Sequence, residues 1–259
     1  MIVGGVDIGS TTGKAVVMKD GKIVASTITP STTRPEETAR IAMDEALKQA
    51  GLASIDDLDY IVGTGYGRLK VGFARENISE ISCHARGAHW MSPTVHTVVD
   101  IGGQDCKVMG IDDNGKVIEF VMNDRCAAGT GKFFEGMART LDCGLEGLSS
   151  LENQGENASN ITSQCTVFAE SEVVTLINEG HELNNIIAGI NNAVAGRLNS
   201  MVRKVGLVED VALTGGCAKN AGLAKALEKH LKVTVQQLPQ DPQIAGAVGA
   251  AIIAAEKIA

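Results

Sequence analysis

The chain has 259 residues, enough for one large core or two modest ones, since domains commonly run to about 100–200 residues. Its formal charge of −8 leaves no basic stripe for a phosphate backbone, and aromatic residues for base stacking make up only 3%, so nucleic acid is not expected as a partner. The N-terminal MIVGGVDIGS does not read as a signal segment, and the longest apolar run, residues 244–255, is too short to span a bilayer, so a cytoplasmic protein with no membrane partner is expected.

An apolar strand, IVGGVD, ends at Asp7. It runs through Gly9, Ser10, Thr11 and Thr12 to Lys14, which opens a second strand, a DG turn and a third strand (KAVVMKDGKIVAS). Thr33-Arg-Pro35-Glu-Glu offers a cap, a proline for the first helical position and acids for the first turn. Ala39, Ala42, Met43, Ala46 and Leu47 then recur at helical spacing until Gly51, so a helix is predicted there. A strand at 58–63 and a helix at 82–91 follow. The opening pattern then returns: VHTVVD ends at Asp100, and DIGGQDCK matches the earlier DIGSTTGK as D-I-G-x-x-x-x-K. KVMGIDDNGKVIEF again supplies strand, turn and strand. Lysine and turn glycine are seven apart in the first copy (Lys14, Gly21) and eight in the second (Lys107, Gly115), a difference that a hairpin bulge can absorb. The chain reads as an internal duplication. Helices at 131–141, 166–179, 184–205, 218–230 and 243–257, with a strand at 209–214, complete an α/β pattern.

A strand that ends in Asp-x-Gly, with glycines and hydroxyls in its turn, lets backbone amides approach a phosphate while the carboxylate holds magnesium through water. A third glycine loop, VALTGGCAKN (211–220), and a glycine-rich opening of the last helix, PQIAGAVG (242–249), follow the two hairpins. Any one loop is equally well a tight turn that needs glycine for positive φ. The ordered set of four resembles the actin, Hsp70 and sugar kinase superfamily. That resemblance implies two ribonuclease-H-like lobes, residues 1–93 with 243–259 and residues 94–242, with ATP or ADP in the cleft between them and hinge closure around it. By position, Asp7 and Asp100 would hold Mg²⁺. Gly9, Ser10, Thr11 and Thr12, with Gly102, Gly103 and Gln104, would cradle phosphates, and Gly215, Gly216, Asn220 and Gln243 would surround the nucleoside. Gln104 is a candidate to orient the hydrolytic water with Asp100 stabilising charge, or Gln104 and Asp105 simply cap the turn. Lys14 and Lys107 either face phosphate or are solvated strand residues.

Six cysteines lie far apart with no CxxC, which argues against a disulfide framework and a zinc site. Cys126 precedes CAAGTGK and an apolar face of Phe133, Phe134, Met137, Ala138 and Leu141; Cys165 precedes Val173, Val174 and Ile177. Both are placed at or just before a helix start, in equivalent positions. Two uses fit such thiols. One is core packing, common for free cysteine. The other is ligation of an anionic group, such as an iron-sulfur cluster, beside the electropositive amides of a helix N-terminus. A four-iron cluster needs four ligands, which a symmetric dimer with two such cysteines per chain would supply. Cys83, Cys106, Cys143 and Cys217 read as packing, and the five histidines, His84 and His89 among them, as surface or capping residues without metal-ligand spacing.

Six segments carry a closer resemblance: TGYGR (64–68), ISCHARGA (81–88), DIGGQDCKV (100–108), MNDRCAAGTGKF (122–133), CTVFAESEV (165–173) and LTGGCAKN (213–220). From about Val6 to Ala254 the chain resembles the ATP-dependent activators of 2-hydroxyacyl-CoA dehydratases, a family that includes ATPase subunits of benzoyl-CoA reductase. The resemblance implies a homodimer with one bridging 4Fe-4S cluster on Cys126 and Cys165. It also implies ferredoxin or flavodoxin as electron donor, and a dehydratase- or reductase-type iron-sulfur protein as acceptor. Residues 142–162 are the least family-like. The alternatives are activation of a related reductase with an unusual iron-sulfur cluster, a small-molecule kinase, for which no substrate insertion is visible, or a nucleotide-switched assembly protein.

Overall fold

The structure, a computed structural model, describes residues 1–162 and 165–259. In chain order its elements are β1 (Ile2–Ile8), β2 (Thr12–Lys19), β3 (Lys22–Pro30), α1 (Pro35–Ala50), β4 (Tyr60–Thr64), β5 (Glu76–Asn77), α2 (Glu80–Met91), β6 (Thr97–Ile101), β7 (Cys106–Ile111) and β8 (Val117–Asn123). Then follow α3 (Gly131–Thr140), α4 (Gly144–Ser149), α5 (Thr166–Asn178), α6 (Leu183–Val205), β9 (Val211–Thr214), α7 (Ala221–Leu231), β10 (Val235–Gln236) and α8 (Ala245–Glu256). One five-stranded sheet has the order β3-β2-β1-β4-β5 and the other β8-β7-β6-β9-β10. Taken from the hairpin outward, the two orders are the same, so the duplication in the sequence is a duplication of topology. Contacts divide the chain into a first unit of Met1–Val98, Ile111–Ile118 and Leu238–Ala259 and a second of Val99–Gly110 and Glu119–Gln237.

The first sheet is buried on both faces, and strand parity says which residue faces which layer. Ala15 and Val17 join the α1 side of the core with Ala39, Ala42 and Met43. Val16 and Met18 join the other side with Ala247, Val248 and Ala251 of α8 and Cys83 of α2. Along β1, a Cβ added to Gly4 would meet Leu58 and Met43, whereas one on Gly5 would lie 2.0 Å from the Ala247 carbonyl oxygen. Asp7 shares parity with Gly5 and so belongs to the α2 and α8 side. β1 pairs antiparallel with β2, with Asp7 opposite Lys14, which puts the acid and the base on one face.

Several local expectations need adjustment. Helix α1 begins at Pro35 and ends at Gly51 in the left-handed region as expected, but its N-cap position is Arg34, with no side-chain cap; Thr33 does not serve. The one-residue difference between the hairpins lies in their turns. The first is a two-residue turn, with Asp20 and Gly21 at φ 49° and 77°. The second takes three residues and ends on Gly115 at φ 70°. There the Asp112 carboxylate accepts from the amides of Lys116 and Asn114, which holds its carboxyl below the ordinary range. A β-bulge does occur, between β2 and β3 at Val17 and Met18.

Helices α2 and α8 approach through glycine. A Cβ on Gly249 would stand 1.8 Å from the Cys83 carbonyl oxygen, and one on Gly87 1.9 Å from that of Ala245. Backbone lies on both sides of each contact, so no rotamer change relieves it. Gly249→Ala should therefore cost about 1–3 kcal/mol or more in denaturant unfolding; unchanged stability would contradict this packing.

Candidate functional site

The first unit builds its part of the site at the end of β1. Gly9 N–H donates to the Thr12 carbonyl at 3.0 Å and closes the turn, while Ser31 Oγ donates to the Gly9 carbonyl at 3.0 Å. Ser10, Thr11 and Thr12 are half-buried, and Gln243 Nε2 donates to Thr12 Oγ1 at 3.3 Å, so the sequence-predicted loop and the start of the last helix meet. Asp7 is 2% exposed, and Lys14 Nζ lies 3.0 Å from its Oδ2. That approach lacks hydrogen-bond geometry, and Oδ2 is left without a hydrogen-bond partner. Lys14 Nζ donates instead to the Thr12 carbonyl at 3.3 Å. Gly65, at φ 89°, clears the other side of the carboxylate: a Cβ there would lie 2.4 Å from Asp7 Oδ1.

The second unit repeats the plan with different electrostatics. Lys107 Nζ lies 3.2 Å from Asp100 Oδ2 and 2.8 Å from Asp105 Oδ2, and Thr214 Oγ1 donates to Asp100 Oδ1 at 2.9 Å. Both Asp100 oxygens are thus engaged, unlike those of Asp7. Neither lysine is a solvated strand residue; Lys14 is 7% exposed and Lys107 2%. Gly102 N–H donates to the Asp105 carbonyl at 2.9 Å, and Gln104 is exposed at the tip of this loop. Gly215, at φ 84°, lets β9 pass Ile101 and Asp100, where a Cβ would lie 2.4 Å from the Ile101 carbonyl oxygen. Gly216 is exposed, but Asn220 is buried: its Oδ1 accepts from Leu223 N–H as the cap of α7, and its Nδ2 donates to Asn191 Oδ1, both at 2.9 Å.

Cys126 lies farther from a helix start than its sequence suggests. Thr130 holds the N-cap position of α3 with extended backbone but no side-chain cap; its hydroxyl donates to the Ala127 carbonyl at 2.6 Å, and the helix opens only at Gly131. The first amides of α3, from Gly131 and Lys132, donate to the Gly102 and Gly103 carbonyls at 2.9 Å each. Its N-terminus is thus bonded to the phosphate-type loop rather than turned toward the thiol. Asn123 Nδ2, donating to the Cys126 carbonyl at 2.8 Å, fixes the intervening segment. Cys165, by contrast, is itself the N-cap of α5 and is exposed. The two cysteines are therefore not in equivalent positions. Helices α3 and α5 come close at Gly136, where a Cβ would lie 2.6 Å from Glu170 Oε1 and 3.6 Å from Thr166 Cγ2.

The other thiols fit their packing role. Burial pushes Cys83 and Cys217 up to about 12 and Cys106 up to about 11, and raises Cys143 as well. Among the described residues no group of three or more His, Cys, Asp or Glu side chains could hold a metal ion. No helix among them is long and apolar enough to cross a membrane. Sequence reasoning missed His84, which is buried with Nε2 3.8 Å from Asp7 Oδ2 rather than lying on the surface. It also missed Thr214, although its place directly before Gly215 at a strand end is the signal that could have found it.

The profile of one ATPase family matches residues 5–254. The chain belongs to the BadF/BadG/BcrA/BcrD ATPase family. This family member is 46% identical over 253 residues to the activator of lactoyl-CoA dehydratase of Anaerotignum propionicum, covering 97% of this chain and 96% of that one. Two solved structures are similar over 99% of the chain. The activator of 2-hydroxyisocaproyl-CoA dehydratase from Clostridium difficile with bound ADPNP has a TM-score of 0.92 at 40% identity, with 95% of its own chain covered. Component A of the Acidaminococcus fermentans (R)-2-hydroxyglutaryl-CoA dehydratase has 0.94 at 42%, with 98% covered. The fold is that of the actin, Hsp70 and sugar kinase superfamily. A ROK glucokinase from Streptomyces griseus shares that fold alone, at 13% identity and TM-score 0.60 over 99% of this chain and 100% of its own.

The Asp100 and Lys107 pair offers a direct check. Lys107→Met leaves a buried carboxylate short of its cation and should cost about 3–5 kcal/mol in thermal or denaturant unfolding. Adding Asp100→Asn should recover part of that loss. No loss in the single variant would contradict the pairing.

Proposed function

We propose that this ATPase is a reductive activator: it binds and hydrolyses Mg·ATP and passes a low-potential electron from a ferredoxin or flavodoxin to an iron-sulfur enzyme of the 2-hydroxyacyl-CoA dehydratase or benzoyl-CoA reductase type. The observation that carries this reading lies inside the second unit. The phosphate-type loop and the segment that presents Cys126 form one hydrogen-bonded piece, through the Gly131 and Lys132 amides on the Gly102 and Gly103 carbonyls. An event at the phosphates displaces those carbonyls and, with them, the start of α3.

Within this reading Ser10 to Thr12 and Gly102 to Gln104 bind phosphate, and Gly215, Gly216 and Gln243 border the nucleoside. Asp7 and Asp100 serve Mg²⁺. Asp7 fits that role: its Oδ2 is ion-paired with Lys14 at 3.0 Å but accepts no hydrogen bond, so its lone pairs stay open to a hydrated metal. Asp100 shares the Lys107 ammonium with Asp105, so it acts as a fixed carboxylate whose charge Lys107 only moderates. Gln104, exposed at the loop tip, orients the hydrolytic water. Asn220 contributes through loop shape, because both ends of its amide are engaged.

Cys126 and Cys165 are the cluster ligands. Their setting supports this: one is half-buried and one exposed, whereas burial raises Cys83, Cys106 and Cys217 into the range where a thiol stays protonated. Two thiols per chain make half of a four-ligand set, so a second copy supplies the rest. When bound, a 4Fe-4S cluster supplies a one-electron couple whose potential responds to hydrogen bonds and exposure at its sulfurs. For one electron about 59 mV of extra reducing power corresponds to roughly 1.4 kcal/mol, a scale that ATP hydrolysis can cover. Cys165 at the tip of α5 places amides beside one thiol, and the α3 tether links the other to the nucleotide loop.

Anaerobic purification with iron, sulfide and EPR analysis tests the reading. One 4Fe-4S cluster per two chains is expected, lost with dimerisation intensity in Cys126→Ala and Cys165→Ala, together with slow ATP hydrolysis that a redox partner accelerates. Gln104→Ala should slow hydrolysis by about a hundredfold with the cluster intact. A colourless, iron-free protein, or ATP turnover indifferent to partner and cysteines, would overturn it.

A further inference from the structure

His84 has no role in the function proposed above, yet it is a buried polar side chain beside Asp7. It lies on α2, is 6% exposed, and its Nε2 stands 3.8 Å from Asp7 Oδ2. That oxygen has no hydrogen-bond partner, with Lys14 Nζ 3.0 Å away and misdirected. The second residue of α8 is Gly246, and its lack of a side chain keeps the gap open. A Cβ there would lie 2.7 Å from Asp7 Oδ2 and 2.8 Å from His84 Nε2. A side chain at this position would thus meet the imidazole and the carboxylate at once. The second unit has no such arrangement, because there Lys107 and Thr214 hold Asp100 from both sides.

We propose that His84 is the positioning residue for Asp7, donating from Nε2 to Oδ2 when Mg·ATP binds and so fixing the carboxylate for the hydrated metal. The inference rests on the Mg·ATP reading of Asp7 and deepens it. A contact of 3.8 Å needs to close by less than an ångström to become a hydrogen bond, and polar contacts at nucleotide-free sites are commonly long and tighten in the complex. A carboxylate that serves a metal depends on its outer partner for orientation. Lys14 supplies charge beside Oδ2 at 3.0 Å but not hydrogen-bond geometry, which leaves the oriented donor to another group.

The test is calorimetric titration of ADP into the full chain over a series of Mg²⁺ concentrations, for wild type, His84→Leu and His84→Gln. Unfolding of the nucleotide-free proteins is followed in parallel. Glutamine keeps an N–H donor near the position of Nε2, whereas leucine keeps only volume. His84→Leu should need about tenfold more Mg²⁺ for half-maximal binding, with His84→Gln much closer to wild type and the affinity for ADP without Mg²⁺ alike in all three. Wild-type Mg²⁺ dependence in His84→Leu, or an equal loss in both variants, or a parallel loss of Mg²⁺-free ADP affinity, overturns the role of His84 and leaves the Mg·ATP reading standing. A wild-type chain whose ADP binding ignores Mg²⁺ overturns both.

Discussion

Two hydrogen bonds, from the Gly131 and Lys132 amides to the Gly102 and Gly103 carbonyls, decide what the second unit can do. A helix leaves its first amides without intrahelical partners, and here a glycine loop takes two of them. The partial positive charge of α3 therefore falls on the loop that follows β6, the loop proposed to bind phosphate. The same bonds tie the loop to the start of α3, five residues after Cys126. Thr130 stands at the N-cap position between them, its hydroxyl donating to the Ala127 carbonyl.

Duplication supplies the scaffold, and divergence supplies the roles. In each copy the D-I-G-x-x-x-x-K spacing folds a hairpin that sets lysine beside aspartate at a strand end. Burying a charged pair gains little stability by itself, so its retention in both copies is better understood as positioning. In the second copy the pair is complete, with Thr214 and Asp105 adding to it. In the first it is incomplete and opens toward α2 and α8, which touch through Gly87 and Gly249. The saturated carboxylate suits a fixed charge and the unsaturated one suits a ligand.

Much of this was legible in the sequence. The Asp-to-Lys repeat, the turn glycines at positions 21 and 115, the helical spacing from Ala39 to Leu47 and the strand-Gly-Gly pattern at Gly215 each follow from local geometry. What failed was of another kind. The lysines looked equally able to be solvated, because a sequence does not say which helices close over a strand end. His84 was misjudged for the same reason, since one histidine on a helix gives no sign of facing a carboxylate 77 positions earlier. The helix expected from residue 131 does open at Gly131, but Cys126 stands five residues before it, whereas Cys165 is itself at a helix N-cap. Residues 142–162, unremarkable in sequence, hold α4 and a network in which Asn191 bonds Gln154, Asn220 and the Leu148 carbonyl.

The coupling between nucleotide and electron is the central claim, and the reduction potential of the bound cluster reports on it most directly. An EPR-monitored redox titration of the dimer with Mg·ADP and with a non-hydrolysable Mg·ATP analogue should give different potentials, by tens of millivolts, on a scale where about 59 mV is a factor of ten for one electron. Identical potentials in the two nucleotide states would contradict the link from the Gly102 and Gly103 carbonyls to Cys126.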